Sequence, residues 1–250
     1  MEIKGLLFDK DGTLLEFHQM WLQVAKGAAT DTLNAYPAKN NSDDNNTNID
    51  ITALLAAIGV HGDYVDNHGL LASNPVEDTA EAWYQLLQLS SDKSLFSQTV
   101  KKLFNKQVED NPALIQALPE VKDRLIDLKA QGFKLGIATA DSKDATLYSL
   151  MQTQLHDLFD FVGYSDGDIA PKPAPALLHA FCQVCDLTAE QVIMFGDTVS
   201  DMKFGRNAGA STIGVLTGTA TEDELKPYAD IVLYSVADFN TDLLMTINQR

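Results

Sequence analysis

Two aspartates stand two positions apart in Asp9-Lys10-Asp11-Gly12-Thr13, and two more stand four apart in Gly196-Asp197-Thr198-Val199-Ser200-Asp201. Between them along the chain come Thr139-Ala140-Asp141 and a proline-flanked lysine, Ala170-Pro171-Lys172-Pro173. Each has a plain structural reading: an Asp-x-Asp-Gly turn, a threonine N-cap, an Asp201 that favours a helix start through the dipole, a solvated loop lysine. Taken together they are equipped for chemistry. Asp9, Asp11 and Asp197 gathered at one place would repel one another unless a cation or a shared proton compensates. All-oxygen ligation points to a hard divalent ion, Mg²⁺ above others, held by few carboxylates with water and substrate oxygens completing its shell. A cation, a lysine, a threonine hydroxyl and exposed loop amides suit a phosphate dianion. A carboxylate beside that dianion can attack phosphorus in line and form an aspartyl-phosphate.

These residues share a position in the pattern: each follows a predicted strand. Residues 3–8 form a short apolar run that stops at Asp9, as a buried parallel strand does when it meets a turn. After Pro119 strand and helix alternate. A helix is expected over 121–130, a strand over 133–138 before Thr139, and a helix over about 143–155. A short strand over 160–163, a helix over 175–185 and a strand over 191–195 before Gly196 come next, then a helix over about 200–207 and strands over 212–216 and 231–233. Strands joined by helical crossovers imply a doubly wound, Rossmann-like parallel sheet covered on both faces, with ligands gathered at the carboxyl ends of its strands. From about Leu14 to Leu118 the pattern is helical instead, with segments near 17–36, 49–58, 76–89 and 95–108 and no convincing strand. The expected organisation is therefore an α/β core of residues 1–15 and 116–250, interrupted by an all-helical cap over 16–115. The polar, Asn-rich stretch 37–48 reads as a loop between two cap helices; it lacks the Gly and terminal Glu of an EF-hand loop.

Composition sets the outer bounds. The chain has 250 residues and a formal charge of −17, with 45% hydrophobic and 21% charged residues, values of a globular protein able to bury a core. Such acidity argues against nucleic acid or an anionic membrane as main partner, since both want a basic surface. It leaves room for an anionic substrate, because a bound cation inverts the local field. Two cysteines, Cys182 and Cys185, give no disulfide framework, and their neighbours make them small residues of a helix core. No run has the length of a membrane span, and the start shows no cleavable signal, so a cytoplasmic protein is expected. The five histidines (His18, His61, His68, His156, His179) lie outside the motifs, His18 being nearest to one.

The residues quoted above resemble the motif set of the haloacid dehalogenase superfamily, in particular its phosphoglycolate phosphatase-like branch. Asp9 to Thr13 match D-x-D-G-T, Thr139 the Thr/Ser after the second strand, Lys172 the motif-three lysine, and Gly196 to Asp201 the G-D-x-x-x-D motif. The likeness covers about 1–16 and 115–235, with the motifs in the family's order. It implies that Asp9 is the nucleophile and a Mg²⁺ ligand. Asp11 would be the general acid/base, its backbone carbonyl also on the metal. Thr139 and the amide of Ala140 would hold phosphate oxygens, and Lys172 would offset charge on Asp9 and the phosphoryl group. Asp197 would be a further metal ligand, with Asp201 supporting from behind the ligands. The helical insert falls where the family carries a cap that excludes water and selects substrate.

The implied activity is Mg²⁺-dependent hydrolysis of a small phosphorylated metabolite, such as phosphoglycolate, through an aspartyl-phosphate. Departures from the branch are Glu16 shortly after D-G-T-L, Ala140-Asp141 after the motif-two threonine, and Pro119-Glu120 ahead of the helix before it. They leave the catalytic set intact and loosen the substrate assignment. Two other readings remain: a phosphomutase resembling β-phosphoglucomutase, and a non-catalytic binding protein on the same fold. The second Asp of motif one speaks against dehalogenase and phosphonatase chemistry.

Overall fold

The computed structural model describes residues 2–37, 49–165 and 169–247, the side chains of 73, 246 and 247 aside. The chain opens with β1 (Gly5–Phe8), buried at every position. Next come α1 (His18–Ala35), α2 (Ile51–Ala57), a hairpin of β2 (Val60–His61) and β3 (Tyr64–Val65), then α3 (Leu70–Ser73), α4 (Val76–Leu86) and α5 (Lys93–Asp110). The alternating part follows as α6 (Val121–Ala130), β4 (Lys134–Ala138), α7 (Lys143–Gln152), β5 (Phe161–Gly163), α8 (Ala176–Cys185), β6 (Val192–Gly196), α9 (Val199–Ala208) and β7 (Ser211–Val215). The last elements are α10 (Glu222–Leu225), β8 (Ile231–Leu233) and α11 (Leu244–Ile247).

The chain divides into two compact units, one of Met1–Phe17 with Ala113–Arg250 and one of His18–Pro112. The first is built on a six-stranded sheet in the order β5-β4-β1-β6-β7-β8. All its pairings are parallel, with Phe8 level with Ile137 on one side and Phe195 on the other. The central strands are apolar throughout because both faces are covered, so the sheet can carry polar groups only where it ends. One face packs Leu7, Met194, Leu177, Leu178, Phe181 and Phe204 together. Phe8 stacks on Phe195, which meets Phe239 edge-on. The order reverses direction around β1 and β6, which places the ends of these two strands at a topological switch point.

The second unit is built around aromatic residues. The buried face of α1 (Met20, Trp21, Val24, Ala25, Ala28, Ala29) repeats at helical spacing. Trp83 is fully buried, lies 5.7 Å from the Phe104 ring, and donates its indole N–H to the carbonyl of Leu54 at 2.8 Å. Phe96 takes Tyr36 and Tyr84 edge-on. Here the expectation of an unbroken helical stretch is corrected: β2 and β3 pair antiparallel, Val60 with Val65 and His61 with Tyr64, around a Gly62-Asp63 turn. Two-residue strands show no periodicity, but a Gly-Asp pair between short runs is itself a hairpin signal. The His18 Nε2 donates to the Asp63 carbonyl at 2.8 Å. The Asn-rich stretch expected as a loop falls at 38–48 outside the described residues.

Cys182 is buried in the sheet-packed face of α8, Cys185 only partly, and neither is in a disulfide. Burial pushes both thiols up, so neither is prepared as a nucleophile. No helix among the described residues is long and apolar enough to cross a membrane.

Candidate active site

The site is assembled from strand ends. β1 delivers Asp9, whose N–H donates to the Phe195 carbonyl at 2.8 Å and so ties the β1 end to β6. The turn then folds back sharply: Gly12 has φ +82°, and a Cβ there would meet the Asp197 carboxylate at 2.8 Å and the Gly218 backbone at 2.9 Å. β6 delivers Asp197 on the far side of that turn. Thr198 caps α9, exchanging hydrogen bonds with Asp201 in a capping box: Thr198 N–H and hydroxyl donate to Asp201 Oδ2 at 3.0 and 2.6 Å, and the Asp201 N–H donates back at 3.2 Å. The structural reading of Asp201 as a helix-start residue therefore holds, but only for one of its oxygens.

The other oxygen faces Lys172. Its Nζ lies 2.6 Å from Asp9 Oδ1 and 2.5 Å from Asp201 Oδ1, and all three groups are buried. Asp9, Asp197 and Asp201 offer ligand atoms that lie within 4.8 Å of one another. Asp197 accepts from the Thr219 N–H at 2.9 Å and hydroxyl at 3.3 Å, and from Thr13 Oγ1 at 3.4 Å. Burial, opposed by Lys172 and reinforced by Asp201 and Asp11, pushes the Asp9 carboxyl up to about 7. Burial and the Asp9 and Asp201 charges hold Asp197 well above the usual carboxylate range. Lys172 is raised despite its burial, through Asp201 and Asp9.

A second cluster adjoins the first in sequence. Lys10, fully buried, lies 2.7 Å from Asp11 Oδ2 and 3.0 Å from Asp141 Oδ2. Asp141 accepts from the Ser142 N–H at 2.7 Å and gives its own N–H to Thr139 Oγ1 at 3.1 Å. Ser165, past β5, donates its N–H to the Asp141 carbonyl and its hydroxyl to the Thr139 carbonyl, both at 3.1 Å. Ala140 lies in the bend between these groups. Burial pushes the Asp141 carboxyl up although Lys10 opposes it. Burial works against the Lys10 charge, but Asp11 and Asp141 outweigh it and raise its pKa.

The structure thus brings Asp9, Lys172, Asp197 and Asp201 into one cluster, and Asp11, Thr139 and Ala140 into the adjoining one. Lys10 and Asp141, quoted with the motifs but assigned no role there, tie the ends of β1, β4 and β5 together. Thr219 and Gly218 were unmarked. A Cβ on Gly218 would collide with the Asp197 carboxylate, so only glycine lets that loop approach. The run Thr217-Gly218-Thr219 follows β7, and the rule that polar groups matter after strands would have found it.

Among the described residues five aspartates face two lysines across these two clusters. The donor set is all oxygen, and three buried carboxylates, Asp9, Asp197 and Asp201, share one lysine. That is what a hard divalent cation needs, so the residues present fit one.

A doubly wound parallel sheet with acidic residues and lysine at its switch point is the layout of an α/β enzyme. A family model described as haloacid dehalogenase-like hydrolase matches residues 3–209, and the chain belongs to that family. It is an enzyme, a hydrolase of that family, and the phosphatase reading of its motifs stands. Among curated relatives, a protein named pyrophosphatase PpaX from Bacillus cereus (strain Q1) is 28% identical over 244 residues, covering 95% of each chain. Among solved structures, one described as a predicted phosphoglycolate phosphatase from Haemophilus somnus 129pt superposes with a TM-score of 0.69 at 19% identity, covering 98% of this chain and 99% of that one. A β-phosphoglucomutase from Clostridium difficile has the same TM-score at 15% identity, covering 99% and 98%. At these identities the two structures speak for the fold alone.

Proposed function

We propose that the protein is a Mg²⁺-dependent phosphatase that hydrolyses a small phosphomonoester of the phosphoglycolate kind through an aspartyl-phosphate on Asp9. The observation that carries this reading is the buried Asp9–Lys172–Asp201 cluster with Asp197 beside it at the switch point of the sheet. Asp9 and Asp197, with the backbone carbonyl of Asp11, would hold the cation. When bound, it supplies positive charge to the phosphoryl oxygens and to the Asp9 carboxylate.

The roles follow from where each group is held. One Asp9 oxygen is engaged by Lys172, which fixes the carboxylate and leaves the other oxygen to attack phosphorus in line. The P–O bond to the leaving group breaks as the Asp9–phosphorus bond forms, and Asp11 gives a proton to the departing oxygen. Asp11 then takes a proton from the water that attacks the aspartyl-phosphate; the Asp9–phosphorus bond breaks, freeing the carboxylate and inorganic phosphate, so Asp11 serves both half-reactions. Thr139 accepts the Asp141 N–H, which leaves its hydroxyl hydrogen for a phosphate oxygen beside the Ala140 amide. Lys172 carries positive charge to the equatorial oxygens. Asp201, with Lys172 on one oxygen and Thr198 on the other, orients the lysine. Residues 16–115, of which 18–112 form the second compact unit, are read as the cap that selects the substrate. The same reading makes a small metabolite, not nucleic acid or a membrane, the partner, and the cytoplasm its place.

The test is release of inorganic phosphate from a panel of phosphomonoesters plus pyrophosphate, with Mg²⁺ or with EDTA, by the wild type and Asp9→Asn. Metal-dependent release that Asp9→Asn abolishes is the expected result. Isomerised sugar phosphate without free phosphate would establish a phosphomutase instead, and equal activity in both proteins would sink Asp9 as the nucleophile.

A further inference from the structure

We propose that Lys10 and Asp141 form a positioning pair for Asp11: the buried Lys10 ammonium, gripped by Asp141, fixes the carboxyl that exchanges protons with the leaving oxygen and then with water. The proposal rests on the reading of Asp11 as the general acid/base.

The geometry is specific. Lys10 holds Oδ2 of Asp11 at 2.7 Å and Oδ2 of Asp141 at 3.0 Å, with no exposure of its own side chain. Asp141 is in turn fixed from two other strand ends, through Thr139 after β4 and Ser165 after β5. A carboxyl at the end of a turn swings freely about its χ1 and χ2 angles. One tied to a buried ammonium that is itself tied to three strand ends does not. Burying one lysine and two carboxylates stabilises little in net terms, since desolvation cancels most of the attraction, and an apolar side chain at position 10 would fill the same space. The gain is directional: one Asp11 oxygen is committed, and the other is held at a fixed bearing from Asp9 two residues earlier. The pair also connects Asp11 to the Thr139-Ala140 bend, so the proton donor and the proposed phosphate-holding groups share one frame.

A structural role and a positioning role predict different kinetics. Lys10→Met alone leaves two buried carboxylates facing each other and is expected to lower stability. The double variant Lys10→Met with Asp141→Asn removes that repulsion and keeps the side-chain volumes. Against wild type it is measured for thermal midpoint and for kcat and kcat/KM on glycerol 2-phosphate and on 2,4-dinitrophenyl phosphate. The first substrate has a leaving alkoxide that needs a proton; the second has a leaving group that does not.

The expected result is a midpoint near that of wild type, with kcat/KM on glycerol 2-phosphate falling roughly 100-fold, in the range a general acid contributes. On dinitrophenyl phosphate kcat/KM, which reports the Asp9 attack, should stay within about threefold, because no proton is needed there. Its kcat should fall, because hydrolysis of the aspartyl-phosphate still needs Asp11 as base. Equal losses on both substrates, or full activity in the double variant, would overturn the proposal. If the double variant does not fold, Asp141→Asn alone, isosteric with the wild type, is judged by the same substrate contrast. Loss of activity in Asp9→Asn beside an unselective Lys10 result defeats this inference only. A wild type that releases no phosphate defeats the function itself.

Discussion

Two buried lysines organise the carboxyl edge of the sheet, and they do so differently. Lys172 reaches Asp9 and Asp201 from a loop, and a third carboxylate, Asp197, lies within the same cluster. Lys10 extends from the end of β1 between Asp11 and Asp141. The first cluster sets three carboxylates against one lysine, the second two against one. The larger excess of buried charge is the greater demand for a cation; a lysine shared by two carboxylates is a means of holding a side chain still. Under the proposed function the two clusters divide the work, one for attack on phosphorus and one for handling protons.

The division breaks most visibly at Asp9. Asp9→Asn keeps the shape of the cluster and lacks the proposed nucleophile, so kcat should fall by roughly 10³-fold or more, measured as phosphate release. Asp197→Asn should act on the cation rather than on the chemistry. Half-saturating Mg²⁺ is expected to rise about tenfold or more, while Lys10→Met with Asp141→Asn leaves it nearly unchanged. A comparable rise in both would show that the clusters are one site.

The difference between the clusters also decides what was legible in the sequence. The sheet was legible because β1, β4 and β6 are apolar at every buried position and each ends abruptly at a polar residue. Asp9, Asp197 and Lys172 were legible for the same reason and because their spacing repeats a known motif set. Lys10 was invisible: a lysine between two aspartates reads as a solvated turn residue, and nothing in the local pattern says that it is fully buried. That fact depends on Asp141, 131 positions away, and long-range charge pairing leaves no periodicity. The Val60–Val65 hairpin was missed for a related reason, since its strands are too short to alternate. Thr219 could have been found, because it follows a strand that the sequence did show.

The acidic cluster should also reveal itself through pH. Without a divalent cation the fold pushes Asp9 up to about 7 and holds Asp197 well above its ordinary value. Between the usual carboxylate value, 3.8, and about 7 the folded chain keeps protons that the unfolded chain has released. Stability therefore falls as pH rises through that window. A cation competes with those protons, so its stabilising effect grows with pH. In EDTA the thermal midpoint should drop from pH 5 to pH 7.5, and the rise on adding Mg²⁺ should be larger at pH 7.5. For a chain of this size each kcal/mol corresponds to about 2–4 °C. A Mg²⁺ effect independent of pH would mean that the cation does not sit on these carboxylates.

The smallest effects are expected at the loop after β7, where the Asp197 side of the comparison can be graded. Gly218→Ala adds a Cβ that collides with the Asp197 carboxylate and must displace it, so half-saturating Mg²⁺ should rise severalfold. Thr219→Val removes only the hydroxyl contact at 3.3 Å, while the shorter backbone N–H bond at 2.9 Å survives. A long hydrogen bond beside an intact shorter one contributes at the low end of the usual range, about 0.5 kcal/mol, or roughly twofold in Mg²⁺ affinity. Titration of activity with Mg²⁺ ranks the two. If Thr219→Val equals or exceeds Gly218→Ala, the hydroxyl itself rather than the backbone orients Asp197. Asp197 would then owe its position to a side-chain contact, as Asp11 does to Lys10 under the proposal, and the manner of framing would not distinguish the two clusters.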